Sequence, residues 1–207
     1  MAAQVDVSKS AVLVMHTQND ITHPDGKFAY SGVPAQVAKH RIWDNLAAFL
    51  DSSRKAGMLV IYIKVALRPG HPELSPKSYP IHAGGRKVGA WTEGTWGAEI
   101  VDELKPQEED IVITNYSPNV FLYTNLDQIL RAKKIENLFL TGTATNFVVE
   151  EAARYGAQIG YDIATVEDCC TSFTDEMHAF SIKNILPQFG AISKSQDVIA
   201  SLTRAVD

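Results

Sequence analysis

Cysteine is nearly absent from this chain: its 207 residues include two, Cys169 and Cys170, side by side. Neighbouring cysteines make no disulfide framework, and their scarcity suits a reducing, cytoplasmic setting. Positive charge is not in excess. The 19 Lys and Arg stand against 24 Asp and Glu, a formal net charge of −5, which argues against nucleic acid or an anionic membrane as the main partner. No apolar run approaches the roughly 20 residues that cross a bilayer. The opening Met1-Ala2-Ala3-Gln4-Val5-Asp6 has no basic region leading into an apolar core, so no secretory leader is expected. Internal repeats and low-complexity tracts are also missing. With 45% hydrophobic and 21% charged residues, the expectation is one globular domain over residues 1–207.

What is present is alternation. Ala11 to Met15 is a continuous apolar run of the kind found in a strand covered on both faces. A loop follows, and then a helix from about Pro34, with Ile42, Leu46, Phe49 and Leu50 on one face and Gly57 at its close. Leu59 to Val65 and Asp110 to Thr114 read as strands, and Leu126, Ile129 and Leu130 mark a helix. Asn137 to Thr141 is a further strand, and Val148 and Val149 begin the inner face of the helix after it. Tyr161 to Val166 is a fifth strand and Ala191-Ile192 a last one. Ile182, Ile185 and Leu186 share a helix, and Ser195 caps the final helix. Gly97 to Leu104 reads as a short helix. Arg68 to Thr95 reads as a long irregular segment, and its Tyr79, Pro80 and Trp91, with Trp96 directly after it, suit a pocket lid or an oligomer contact. The charges Glu99, Asp102, Glu103, Glu108, Glu109 and Asp110 read as a solvated acidic face.

Strands and helices alternating from end to end call for a three-layer, Rossmann-like α/β domain with a mainly parallel sheet flanked by helices on both faces. In such a sheet ligands sit at the carboxyl ends of strands. Three transitions fall there: His16, Asn115 and the turn Gly142-Thr143-Ala144-Thr145-Asn146. A glycine followed by small residues at a helix start leaves amide groups free for an anion or a carbonyl oxygen.

The order of these segments resembles the isochorismatase-like hydrolase superfamily, the cysteine hydrolases. Four motifs carry the resemblance across nearly the whole chain: Leu13-Val14-Met15-His16-Thr17-Gln18-Asn19-Asp20, Gly94 to Leu104, Asp110-Ile111-Val112-Ile113-Thr114-Asn115, and Gly142 to Glu150. The resemblance implies a six-stranded sheet, a homodimer or higher homo-oligomer, and a non-proline cis peptide in the Thr143-Ala144 region. It also implies an Asp-Lys-Cys triad, in which a carboxylate takes the thiol proton and the thiolate attacks a carbonyl. The residues standing at those three places are His16, Asn115 and Val148. A shift of register does not restore the triad. Met15 and Thr17 are no carboxylates, Phe147 and Val149 carry no thiol, and no Lys or Arg lies between Lys105 and Arg131. The metal ligands of nicotinamidases, an Asp-x-His pair and a later His, are not matched by His71 and His82, so neither metal nor cofactor is expected.

His16 reads either as an acid or base or as a member of a strand-end hydrogen-bond network. Asn115 reads as a substrate-orienting amide or oxyanion donor, or equally as a turn residue, and Val148 as a pocket wall or a helix-face core residue. Gln18, Asp20, Thr145, Asn146, Phe147 and Val148 are the candidate substrate-binding residues. Cys169 and Cys170 read as buried small residues, with a relocated nucleophile as the minority view, and His178 reads as a surface histidine. Two functions follow. One is a noncanonical family hydrolase acting on a small polar molecule through His16 without a cysteine. The other is an inactive relative that binds a small ligand or a protein partner. The polarity of the site discriminates between them.

Overall fold

The structure is a computed structural model that describes residues 5–77 and 79–206, with side chains up to Leu202. Most of the N-terminal stretch read for a leader, Met1 to Gln4, lies outside the described residues. Six strands, β1 (Ser10–Met15), β2 (Leu59–Val65), β3 (Ile111–Asn115), β4 (Asn137–Thr143), β5 (Asp162–Thr171) and β6 (Ala191–Ser193), form one sheet in the order β3-β2-β1-β4-β5-β6. Every pairing is parallel. Among the described residues the α-helices are α1 (Asn19–Thr22), α2 (Val33–Lys39), α3 (Ile42–Lys55), α4 (Pro80–Val88), α5 (Leu126–Ala132), α6 (Glu150–Gln158), α7 (Asp175–Phe180) and α8 (Ser195–Val206). Among the described residues no helix is long and apolar enough to cross a membrane.

The central strand shows why the apolar run exists. Successive side chains of a strand point to opposite faces. Leu13 and Met15 of β1 pack with Leu126, Leu130, Val149 and Ala152 on one side. Val12 and Val14 pack with Leu46, Phe49, Leu50 and Val198 on the other. Both faces are therefore dry, and no alternation of polar residues survives in β1. Chain order runs outward from β1 to β3 and then returns to β4 beside β1. That reversal opens a crevice above the carboxyl ends of β1 and β4.

Four local expectations are corrected. The helix expected from Pro34 to Gly57 is two helices, because Arg41 takes a left-handed φ of 51° and breaks the run between α2 and α3. The segment expected to be irregular from Arg68 to Thr95 contains α4, which starts on Pro80 at its first turn. Gly97 to Leu104 is two single 3-10 turns, Trp96–Ala98 and Asp102–Leu104, with Ile100 bridged to Gln18 between them. Asp110 is not solvated: its side chain is buried against Arg54, 2.6 Å away.

Candidate functional site

At the end of β1 the chain turns out of the sheet at His16, whose φ is 56°. Its N–H donates to Ile63 O at 2.9 Å, and its carbonyl accepts from Thr143 Oγ1 at 3.1 Å. Beside it, Gly142 has a φ of 115°, and a Cβ there would sit 2.0 Å from Met15 O. Only glycine allows β4 to come this close to β1. The next peptide bond, Thr143-Ala144, is cis. A wide helical turn, Thr145–Val149, then leads into α6. The amides of Phe147 and Val149 both donate to Ala144 O, at 3.0 and 3.4 Å. They are therefore already engaged by the backbone.

His16 is buried, and its Nε2 lies 3.1 Å from Asn115 Oδ1. Asn115 Nδ2 donates to Ser117 O, so the amide oxygen is the atom that faces the imidazole. An acceptor at that position places the ring proton on Nε2 and leaves the Nδ1 lone pair without a protein partner among the described residues. Burial pushes the imidazole pKa down to about 4. The bond to Asn115 opposes the shift, and the nearby His82 adds to it. At neutral pH His16 is thus an uncharged ring of fixed tautomer, a hydrogen-bond acceptor with the basicity of a carboxylate but without its charge.

His16 stands in the wall of a narrow cavity of about 60 Å³ at the strand ends. From the sheet side Val65, Thr143, Ala144, Phe147 and Val148 line it. Ile21, Phe28 and Val33 close one flank, Ser117 and Pro118 another, and Phe173 packs edge-on against Phe147. Trp91, with Ile81 and His82 of α4, completes the lining from the segment between β2 and β3. The larger open grooves, such as the one lined by Trp43 and Arg41, do not include His16.

Of the residues singled out in the sequence, His16, Phe147 and Val148 reach this cavity, and Asn115 stands directly behind His16. Gln18 does not reach it. Its amide ties β2 to the loop before β3, accepting from Val65 N (2.7 Å) and donating to Val65 O (2.6 Å) and Ala98 O (2.8 Å). Asp20 is fully engaged as well, accepting from Lys27 N at 2.9 Å and Trp91 N at 2.7 Å. Asn146 is turned away to accept from Ser172 Oγ. Thr145 is buried, and its hydroxyl meets His178 Nδ1 at 2.8 Å. His178 is therefore half-buried rather than a surface histidine, and burial lowers its pKa. Cys169 and Cys170 are buried, and burial pushes both thiols well up. Ser195 opens α8, but its hydroxyl donates to Asp168 Oδ2 at 2.7 Å.

His71 Nε2 meets Thr92 Oγ1 at 3.2 Å and His82 Nε2 meets Tyr79 at 3.1 Å. Among the described residues no group of three or more His, Cys, Asp or Glu is placed to hold an ion. Sequence reading missed His82 and Ser117 as wall residues. His82 was weighed only as a ligand, and Ser117 follows Asn115 by two positions, a signal that would have found it.

Comparison with known proteins gives the family. A sequence model of the isochorismatase domain matches residues 10–197. The ureidoacrylate amidohydrolase RutB of Acinetobacter baylyi is 30% identical over 213 aligned positions, covering 96% of this chain and 85% of its own length. Among solved structures, a cysteine hydrolase from Pseudomonas syringae superposes with a TM-score of 0.86 at 20% identity, covering 98% of this chain and 96% of the other. The N-carbamoylsarcosine amidase of Thermoplasma acidophilum superposes with a TM-score of 0.71 at 24% identity, covering 90% and 96%. At these identities the two structures speak for the fold alone, whereas the domain match spans most of the sequence. The chain belongs to the isochorismatase family.

Proposed function

We propose that this chain is an isochorismatase-family hydrolase that works without a cysteine nucleophile, with His16 as its acid-base group. The observation that carries the reading is the His16–Asn115 pair. Asn115 fixes the tautomer, and the remaining ring nitrogen is free beside the cavity. A neutral imidazole with a pKa of about 4 can accept a proton from a water molecule as that water attacks an electrophilic carbon. The aromatic and aliphatic walls call for a small molecule with an apolar body and one polar group directed at His16. Val148, at the place of the family thiol, supplies wall and no chemistry.

A panel of small amides, esters, lactones, ureidoacrylate and isochorismate tests the reading with wild-type protein and His16→Ala, both checked for folding by circular dichroism. Turnover by the wild type that falls about 10²- to 10⁴-fold in the variant is the expected result. Turnover unchanged in His16→Ala overturns it. Light scattering on the same preparation measures the homo-oligomer that the family resemblance implies.

The second reading, an inactive relative that binds a ligand, is favoured by one observation. Gln18, Asp20 and Asn146 are engaged inside the protein, so the cavity is less polar than the sequence suggests. A folded wild-type protein that is stabilised by a panel compound but turns over none selects this reading.

A further inference from the structure

The wall of the His16 cavity carries no charged side chain. Among the described residues that line it there is no Asp, Glu, Lys or Arg. Its polar side chains are two imidazoles, His16 and His82, two hydroxyls, Ser117 and Thr143, and the indole of Trp91. Burial keeps both imidazoles neutral. It brings His16 down to about 4 and lowers His82, where Arg86 adds to the effect. The Thr143 hydroxyl is engaged by the carbonyl of His16 at 3.1 Å, and Ser117 Oγ accepts the N–H of Asn119 at 3.2 Å.

Charged groups beside wall residues are engaged elsewhere. Lys27, next to Phe28, donates to Gly89 O at 2.8 Å, and Arg86, one turn past His82 in α4, donates to Leu74 O at 2.5 Å. Lys64, next to Val65, pairs with Glu99 at 3.1 Å. Asp20, next to Ile21, accepts the N–H groups of Lys27 and Trp91. An ion entering the cavity would therefore lose its water and meet no opposite charge, the least favourable form of burial. His16 adds to the exclusion of anions. Its Nε2 proton is turned to Asn115 Oδ1, so Nδ1 presents a lone pair, and whatever meets it must bring a proton. A water molecule or a ligand N–H or O–H does so, whereas a carboxylate sets lone pair against lone pair.

We propose that this cavity selects uncharged substrates, small neutral amides, esters or lactones with a compact apolar body, and rejects carboxylates and ammonium ions of the same shape. The inference narrows the substrate class of the hydrolase reading and, as a statement about substrates, rests on it. The size limit comes from the cavity itself. At roughly 10–15 Å³ for each water-sized group, its volume of about 60 Å³ encloses a body of roughly four to six heavy atoms. Phe28, Val33, Trp91, Phe147 and Phe173 offer that body an apolar surround. The hydroxyls and imidazoles of the wall can replace the few hydrogen bonds that a neutral carbonyl compound gives up on entry, but not the hydration of an ion.

Three compounds of nearly one shape test this: isobutyramide, isobutyrate and isobutylamine, which at pH 7 are neutral, anionic and cationic. Each is titrated into wild-type protein carrying isotopically labelled histidine. The ring C–H signal of His16, assigned by its loss in His16→Asn, reports occupancy. The expected result is saturable displacement by isobutyramide, with isobutyrate and isobutylamine at least 10-fold weaker. Ile81→Arg places a cation in the wall from a half-buried position on α4. With an unchanged melting temperature, this variant should bind isobutyrate at least 10-fold more tightly than wild type does, and isobutyramide no better. Equal affinity of wild type for isobutyrate and isobutyramide overturns the selectivity, as does the absence of isobutyramide binding in folded wild type. No gain for isobutyrate in Ile81→Arg overturns the missing counter-charge as its cause. Selective binding of isobutyramide without turnover of any neutral compound keeps the selectivity and discards the hydrolase reading. His16-dependent turnover of a carboxylate does the reverse.

Discussion

His16 and Asn115 meet at 3.1 Å although β2 lies between their strands. The two residues are 99 positions apart in sequence, and their side chains reach across the carboxyl end of β2, above Val65. The contact fixes the tautomer of His16, while burial makes it an uncharged base against the pull of that bond, and the burial has a consequence for stability. The imidazole pKa falls from 6.5 to about 4 on folding, so between these values the unfolded chain binds the proton more readily than the native one. Stability is therefore fully present above pH 6.5 and is lost as pH falls toward 4, by an amount on the order of 3 kcal/mol. Urea titrations at pH 7 and pH 4.5 should show a smaller acid loss in His16→Asn than in wild type. An equal loss in both would assign the acid sensitivity to other groups.

Gln18→Ala should destabilise by roughly 3 kcal/mol, since it strands the N–H and C=O of Val65 and the C=O of Ala98 in the interior. A substrate-binding glutamine would instead raise KM with little change in the urea midpoint. Equilibrium unfolding beside steady-state kinetics separates the two.

Val148→Cys should not restore amidase activity. The thiol would face His16, which is neutral, and Asn115, which carries no charge, so nothing nearby favours a thiolate. Ammonia release from nicotinamide and from N-carbamoyl amides measures this. Clear hydrolysis by the single variant would show that the cavity can support a thiolate after all.

Cys169 and Cys170 should resist iodoacetamide in the native state and react fully in urea. Both are buried, one on each face of the sheet, and burial holds both as thiols. The replacement of both by Ala should leave any turnover within about two-fold of wild type, because neither lines the cavity. Rapid native labelling would return the relocated-cysteine reading to consideration.

Gly142→Ala should prevent folding or cost more than about 3 kcal/mol. The left-handed φ disfavours any side chain, and the added methyl would run into Met15 O. Expression and circular dichroism decide it, and a stably folded variant would show that β1 and β4 can separate at this point.

The sequence by itself determined the layers, the strand order of burial and the place of the crevice. Those depend on periodicity, which each segment carries locally: five apolar residues in β1, a 3.6-residue stripe in α3, a glycine where β4 must touch β1. The tertiary structure alone decided what the polar residues do. Gln18, Asp20 and Asn146 share one sequence signature with substrate-binding groups, a polar side chain at a strand end. Their partners lie at Val65, Trp91 and Ser172, and which polar group meets which is fixed only when distant segments pack. A buried hydrogen-bonding group must be satisfied by whatever the fold brings near it, so three apparent pocket residues became braces. By the same packing α4 reached the strand ends and brought His82 to the cavity, where no local pattern had put it.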